Sequence, residues 1–219
     1  MNKIRYCDFT IWYILLFLFL DIGAFYLLSQ NYNNPLFITI DNSILSFMLE
    51  HTSGAMTLIM NAISLFGTLA GVIITSLVII ILSRFNKKVV MSSSLIVGTY
   101  LINGLVKNLY SRPRPVVAHL TYVEGYSFIS GHSSVTLVMA VILITVFVKE
   151  MRDGPLKYLL FIGLGIMPIF VGISRLYLRV HYLTDVVGGW LVAISYLCII
   201  YLINTVIRYN QAKQSCTKQ

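Results

Sequence analysis

The sequence predicts an all-α integral membrane protein with six transmembrane helices, both termini in the cytoplasm and a single domain over residues 1–219. Apolar residues make up 58% of the chain and charged residues 11%, whereas about 25% of a typical globular protein is charged. Continuous apolar runs, without strand-like alternation, favour helices over a membrane barrel. The positive charges concentrate in alternate connections, which sets the orientation.

Six apolar runs predict the six spans, because each is near the roughly 20 residues that cross a bilayer as a helix. The predicted spans are Trp12–Leu28, Met56–Leu82, Val89–Leu109, Ser134–Val148, Tyr158–Ile173 and Leu183–Ile207. Bulky polar residues follow the first run where a signal peptide would have a small-residue cleavage site, so we interpret it as a retained helix. Its one acid, Asp21, is expected to form a helix-packing hydrogen bond.

The distribution of Lys and Arg predicts which side each connection faces. Eleven of the 16 cations lie at the termini and in two short loops. They are Lys3, Arg5, Arg84, Lys87, Lys88, Lys149, Arg152, Lys157, Arg208, Lys213 and Lys218. By the positive-inside rule these regions are cytoplasmic. The net charge of +8 is therefore attributed to topology, and no nucleic-acid partner is expected.

The connection between the first two spans, residues 29–55, contains the sequence Asp41-Asn42-Ser43, which predicts the N-cap of a short apolar helix. That helix either lies in the membrane interface or serves as a packed connector. Two glycine pairs, Gly67-x3-Gly71 and Gly188-Gly189, predict close helix packing.

Three polar motifs lie at the outer edges of the apolar runs. They are Lys107-x6-Arg114-Pro115, Ser130-Gly131-His132 and Ser174-Arg175-x5-His181-x3-Asp185. Charge near hydrocarbon is costly and is usually functional. All three motifs are predicted to face the extracytoplasmic side, so they can converge on one site.

The third motif contains a candidate nucleophile. If the last helix includes His181, the spacing puts Asp185 on the same helix face, where its carboxylate can orient the imidazole. A histidine held in this way is a candidate for covalent catalysis. For an isolated His–Asp pair, a structural hydrogen bond is the alternative.

The other motifs supply cations and a candidate acid. Lys107, Arg114 and Arg175 can stabilise charge on a transferring phosphoryl group. Ser130-Gly131-His132 can present backbone N–H groups to an anion, and His132 can protonate a leaving oxygen. For Arg112 and Arg179 the sequence leaves a headgroup-facing position open.

No metal or other cofactor is expected, because the sequence lacks a helical His-x3-His pair and a Cys cluster. Surrounding a metal ion with so many fixed cations is also unfavourable.

These residues resemble the three-part signature of the type 2 phosphatidic acid phosphatase superfamily, whose membrane branch comprises six-helix lipid phosphate phosphatases. The motif resemblance covers residues 107–185. It implies that His181 attacks phosphorus and forms a phosphohistidine, that Asp185 orients it, and that His132 protonates the leaving group. The resemblance also implies a set of phosphate-binding residues, namely Lys107, Arg114, Ser130, Gly131 and Arg175. Ile129 departs from the family's usual proline but removes no reactive group.

The resulting hypothesis is a metal-independent lipid phosphatase of the cell membrane. A lipid phosphate is the expected substrate: undecaprenyl pyrophosphate first, with phosphatidylglycerophosphate and phosphatidic acid as the other candidates. One alternative is a phosphotransferase that uses a phosphorylated lipid donor. A second alternative is a non-enzymatic transporter or scaffold. The sequence gives no indication of oligomeric state.

Overall fold

The computed structural model describes the backbone of residues 2–217 and the side chains of residues 9–211, 213 and 214. The regular elements of this part of the chain are helices. They are α1 (Asn2–Asn31), α2 (Pro35–Glu50), α3 (Gly54–Ser64), α4 (Leu69–Leu82), α5 (Lys87–Tyr110), α6 (Gly131–Val146), α7 (Pro155–Tyr177) and α8 (Leu183–Thr217), with 3₁₀ turns at Leu65–Gly67 and Val148–Glu150. Of the cations that predict orientation, Lys3, Arg5 and Lys218 lie outside the described side chains.

Five helical segments are long and apolar enough to cross a membrane. They are Phe9–Asn31, Lys87–Tyr110, Gly131–Glu150, Pro155–Tyr177 and Leu183–Gln211. A sixth span results if α3 and α4 are counted as one segment, although the two are bent by 64°. The prediction of an all-helical membrane fold is therefore confirmed. The number of spans is five or six among the described residues, and the side on which the termini lie remains a prediction.

The predicted single helix over Met56–Leu82 is wrong, because the chain breaks at Thr68. This residue has an extended backbone, and its hydroxyl accepts a hydrogen bond from the Gly71 N–H at 3.0 Å, which starts a new helix. A threonine that caps the second half competes with continuation of the first. Hydropathy cannot reveal such a break, since both halves are apolar.

Helix α6 occupies the centre of the bundle and packs against α5, α7, α8 and the 3₁₀ turn at Leu65–Gly67. Its Val135, Val138 and Met139 are fully buried and form a core with Val72 and Ile96. By contrast, α1 packs mainly along α8, and most of its large apolar side chains are exposed. The start of α6 therefore lies at the centre of one end of the bundle.

The predicted helix cap at Asp41 is also wrong. Helix α2 begins six residues earlier, at Pro35, where the Asn34 side chain accepts from the Leu36 N–H at 3.0 Å. Proline suits the first helical position, since its missing N–H would have no partner there. Asp41 lies within α2 and is buried.

Other predictions agree more closely with the structure. Asp21 accepts a hydrogen bond of 2.5 Å from Ser195 on α8, which confirms its role in helix packing. The predicted fourth span begins too late, because α6 starts at Gly131 and includes His132 in its first turn. Ser130 is its N-cap.

The glycines mark close approaches. A Cβ added at Gly67 would lie 2.7 Å from His132, and one added at Gly71 would meet the Leu65 carbonyl oxygen across the bend. A Cβ at Gly189 would lie 2.5 Å from the carbonyl oxygen of Ser130. Gly189 therefore lets α8 reach the backbone at the start of α6.

We predict that Gly189→Ala destabilises the protein by about 1–3 kcal/mol, because the added methyl group overlaps a backbone oxygen that cannot rotate away. The measurement is thermal unfolding in detergent. Gly163→Ala in α7 is the matched control, since nothing lies within 4 Å of its Cβ position. An equal unfolding temperature for both variants would contradict the predicted overlap.

Candidate active site

The three motifs meet at one end of the bundle. Lys107 is in the last turn of α5, His132 in the first turn of α6, and Arg175 in the last turn of α7. A pocket of about 460 Å³ opens between these helix ends. Six of the eight predicted site residues line it, namely Lys107, Arg114, Gly131, His132, Arg175 and His181. Ser130 and Asp185 lie behind this lining, fully buried.

His181 precedes α8, so the predicted one-face spacing within a helix does not apply. The helix begins at Leu183, and His181 approaches Asp185 through the turn before it. His181 Nδ1 lies 3.4 Å from Asp185 Oδ2 and 3.4 Å from the Ser127 hydroxyl. The structure thus brings the predicted pair together, but by a different route.

Asp185 is held by three donors, two from the connection between α5 and α6 and one from the turn before α8. The Tyr182 N–H donates to its Oδ2 at 2.8 Å, so Asp185, the third residue of α8, accepts from the residue before the helix as in a capping box. The Ser127 hydroxyl donates to the same oxygen. Arg112 donates to Oδ1 at 2.7 Å. These contacts direct the carboxylate toward His181.

The other ring nitrogen of His181 faces a cation. Arg114 Nη1 lies 3.3 Å from His181 Nε2, and because a guanidinium can only donate, this contact fits a lone pair on Nε2 and a hydrogen on Nδ1. Burial lowers the pKa of His181 to about 3, although the Asp185 carboxylate opposes this shift. The imidazole is therefore neutral, and its Nε2 carries the lone pair that Arg114 contacts.

The cations of the pocket are held by neutral groups. Arg114 donates to the carbonyl oxygens of Gly125, Glu124 and Val180 at 3.0, 2.8 and 2.7 Å. Lys107 donates to the Tyr126 carbonyl at 2.6 Å. Carbonyl oxygens fix these side chains without neutralising their charge.

Arg175 is the most deeply buried cation of the pocket lining, with 3% of its surface exposed. Its Nη1 donates to the Ser64 hydroxyl at 2.5 Å, while its Nε has no hydrogen-bond partner. An unpaired buried donor is costly. Arg175 therefore brings a positive charge to the pocket lining that a serine hydroxyl does not neutralise.

The start of α6 is built around Asn103. Its Nδ2 donates to the Gly131 carbonyl at 3.5 Å, and its Oδ1 accepts from Ser134 at 2.9 Å. Ser130 caps the helix, and its N–H donates to the Asp185 carbonyl at 2.9 Å. Ser130 therefore links the first turns of α6 and α8 from behind the pocket.

Ile129 is fully buried and packs with Phe128, Leu28 and Val192. The side chain that replaces the family's usual proline thus contributes to the core beneath the second motif.

Sequence reasoning gave no site role to four polar residues around the site, namely Ser127, Asn103, Asp41 and Arg112. The structure corrects the headgroup-facing interpretation of Arg112, which is buried and pairs with Asp185 and Asp41. Arg179 is also largely buried and joins two loops through Ala118 and Thr52. One signal was present for Asp41: it is one of two acids, with Glu50, in residues 29–55, the connection between the first two predicted spans.

Within the described part of the chain, no group of three or more His, Cys, Asp and Glu side chains is arranged to hold a metal ion. The expectation of no metal requirement remains a prediction for chelation to test.

Comparison with known proteins gives a family. A family model described as the PAP2 superfamily matches residues 87–209, more than half of the chain. Phosphatidylglycerophosphatase B of Bacillus subtilis is 37% identical over 98 residues, which are 44% of this chain and 48% of that protein. The match thus spans about half the length of this relative. Undecaprenyl-diphosphatase BcrC of the same organism is 28% identical over 158 residues, 70% of this chain and 69% of that protein.

Solved structures show the same fold. The crystal structure of a transmembrane PAP2-type phosphatidylglycerolphosphate phosphatase from Bacillus subtilis aligns with a TM-score of 0.74 and 24% identity, covering 87% of this chain and 96% of that one. Aquifex aeolicus LpxE aligns with a TM-score of 0.58 and 18% identity, covering 75% and 94%. The family match and the shared membrane fold together show that this chain is an integral membrane protein with several spans and belongs to the PAP2 superfamily.

Proposed function

We propose that the protein is a metal-independent lipid phosphatase that works through a phosphohistidine at His181. One observation carries the proposal: the Nε2 atom of a neutral His181 faces a pocket in which Lys107, Arg114 and Arg175 are fixed but not neutralised. A nucleophile beside three cations that form no ion pair with a described residue suits attack on a phosphate, whose negative charges would otherwise repel a lone pair.

The proposed first step transfers the phosphoryl group to the enzyme. The Nε2 lone pair of His181 attacks phosphorus, and the bond from phosphorus to the leaving oxygen breaks. His132 donates a proton to that oxygen, so the lipid leaves as an alcohol, or as a monophosphate when the substrate is a pyrophosphate. The ring of His181 becomes cationic, and the Asp185 carboxylate stabilises that charge.

The proposed second step regenerates the enzyme. Water attacks the phosphohistidine, His132 accepts one proton from it, and the bond between Nε2 and phosphorus breaks with its electron pair returning to His181. Inorganic phosphate leaves. The cations and the Gly131 backbone contact the phosphoryl oxygens in both steps.

The proposed substrate is a lipid phosphate, with undecaprenyl pyrophosphate as the first candidate. The names of the two relatives support this class, since one is an undecaprenyl-diphosphatase and the other a phosphatidylglycerophosphatase. The pocket end of the bundle is opposite the basic loops around Lys87 and Lys149. By the positive-inside rule, the site then faces the extracytoplasmic side.

We expect His181→Gln to lower phosphate release at least about 1,000-fold, because glutamine has no nucleophilic lone pair to replace the imidazole. Brief incubation with ³²P-labelled lipid should give acid-labile, alkali-stable label on the wild-type protein and none on the variant. His51→Gln is the control, since His51 is exposed, contacts Phe47 of its own helix, and is not among the residues that line the pocket. Normal turnover by His181→Gln would rule out this nucleophile.

Excess chelator should leave the rate of phosphate release unchanged, because the proposed electrophilic groups are Lys and Arg side chains. The rate is measured on purified protein in detergent before and after dialysis against the chelator. A lost rate that a divalent cation restores would contradict metal independence.

A panel of three lipids tests the substrate. We expect kcat/KM to be at least about tenfold higher for undecaprenyl pyrophosphate than for phosphatidylglycerophosphate or phosphatidic acid.

A second experiment distinguishes hydrolysis from transfer. Labelled donor is incubated with candidate acceptor lipids: label in free phosphate supports hydrolysis, and label on an acceptor supports the phosphotransferase alternative. Absence of release and transfer from every lipid would favour a transporter or scaffold.

A further inference from the structure

A second charged cluster lies behind His181, away from the pocket. It consists of Asp41 on α2, Arg112 in the connection after α5, and Thr184 in the first turn of α8. We propose that Asp41 and Arg112 are positioning residues, which hold the Asp185 carboxylate and the start of α8 in register with His181. This inference rests on the proposed function of His181 and extends it to a helix outside the three motifs.

Arg112 bridges two carboxylates from different elements. Its Nη1 donates to Asp185 Oδ1 at 2.7 Å, and its Nη2 donates to Asp41 Oδ2 at 2.9 Å. Its Nη1 also donates to the Thr184 hydroxyl at 2.7 Å. Only a planar group with donors on two arms can make these contacts at once. Arg112 therefore joins α2 directly to the acid beside His181.

Two aromatic rings restrict the guanidinium further. Arg112 Cζ lies 4.6 Å from the centre of the Tyr32 ring and 4.2 Å from that of Tyr182. Cation–π contacts at these distances are attractive. Arg112 is 6% exposed and is not among the residues that line the pocket. It is therefore not placed to touch a phosphate, which separates it from Arg114 two residues later.

Asp41 caps α8 from another helix. Its Oδ1 accepts from the Thr184 N–H at 3.0 Å, and its Oδ2 accepts from the Thr184 hydroxyl at 2.6 Å. The first N–H groups of a helix have no partner within that helix, and a carboxylate there is favourable. Asp41 thus accepts a hydrogen bond from the Thr184 N–H, as Asp185 accepts one from the Tyr182 N–H. The two carboxylates together fix the first turn of α8.

The charges of the cluster fit the proposed reaction. Asp41 and Asp185 carry two negative charges, and Arg112 carries one positive charge, all largely shielded from water. When His181 becomes cationic on attack, the charges of the four groups sum to zero. Removing Asp41 leaves Arg112 paired with Asp185 alone, so the arginine is free to shift toward it and draw the carboxylate away from His181. A misplacement of about 1 Å is enough to cost about 100-fold in rate.

The test compares two buried aspartates of the same chain. Asp41→Asn should lower kcat about 10- to 100-fold, whereas KM and the Kd of inorganic phosphate should stay within about twofold, since the pocket is unchanged. Label on His181 should also appear more slowly.

Asp21→Asn is the matched control, because Asp21 is a buried carboxylate hydrogen-bonded to Ser195. It lies about 15 Å along α1 from the helix end at Asn31, next to the Tyr32 ring that contacts Arg112. This variant should keep wild-type kcat.

Two further variants distinguish a positioning effect on kcat from a loss of the folded structure. Thr184→Val removes the hydroxyl contacts but no charge, and it should lower kcat less than Asp41→Asn does. Arg112→Lys keeps the charge but cannot bridge both carboxylates, so it should lower kcat at least as much as Asp41→Asn. The thermal unfolding temperature of each variant is measured in the same detergent. Equal kcat for Asp41→Asn and Asp21→Asn would overturn the inference.

A readout without substrate separates this inference from the proposed function. In ¹⁵N-histidine NMR of the protein in detergent, the Nδ1–H signal of His181 is assigned by its loss in His181→Gln. We expect it to persist in Asp21→Asn and to shift or broaden in Asp41→Asn. An unchanged signal in Asp41→Asn overturns the positioning role. If the signal responds as expected but the wild-type protein releases no phosphate from any lipid, the proposed function fails and the positioning geometry stands.

Discussion

The structure depends on a carboxylate that must stay charged without contact with water. Asp185 is fully buried, and an ion in that position costs several kcal/mol unless its lone pairs are satisfied. Its donors are Arg112 and the Ser127 hydroxyl, from the two ends of the connection between α5 and α6, and the Tyr182 N–H at the start of α8. Satisfying one carboxylate therefore fixes the relative position of several helix ends. The same contacts orient His181, so stability and the proposed chemistry share one constraint.

Two electrostatic environments meet at His181. On the Nε2 side, the cations of the pocket are held by carbonyl oxygens and a serine hydroxyl, which direct them but leave their charge available. On the Nδ1 side, Arg112 is matched by two carboxylates. An anion is attracted to the first side only. This division explains why two arginines in one short stretch, Arg112 and Arg114, have opposite surroundings and different proposed tasks.

Small residues and a helix break bring the site together. The bend between α3 and α4 places Gly67 against His132, and Gly189 brings α8 against the Ser130 carbonyl. Lipid tails supply little hydrophobic force to drive helices together, so helices in a membrane associate through close van der Waals contact. Small residues such as glycine permit that contact. The glycine pairs were visible in the sequence as packing signals. The partners of Gly67 and Gly189 were not, since His132 and Ser130 lie more than 50 residues away along the chain.

The sequence by itself determined the membrane class, the all-helical character and the residues of the three motifs, because hydropathy and local spacing are properties of consecutive residues. From the distribution of Lys and Arg among the connections, the convergence of the three motifs on one end of the bundle could also be expected. Only the tertiary structure decided the bend at Thr68, the route by which His181 reaches Asp185, and the pairing of Asp41 with Arg112. Asp41 and Arg112 are 71 residues apart, and burial of both charges is favourable only when the fold brings them into contact. A local pattern therefore located the reactive groups, whereas long-range charge pairing set their orientation.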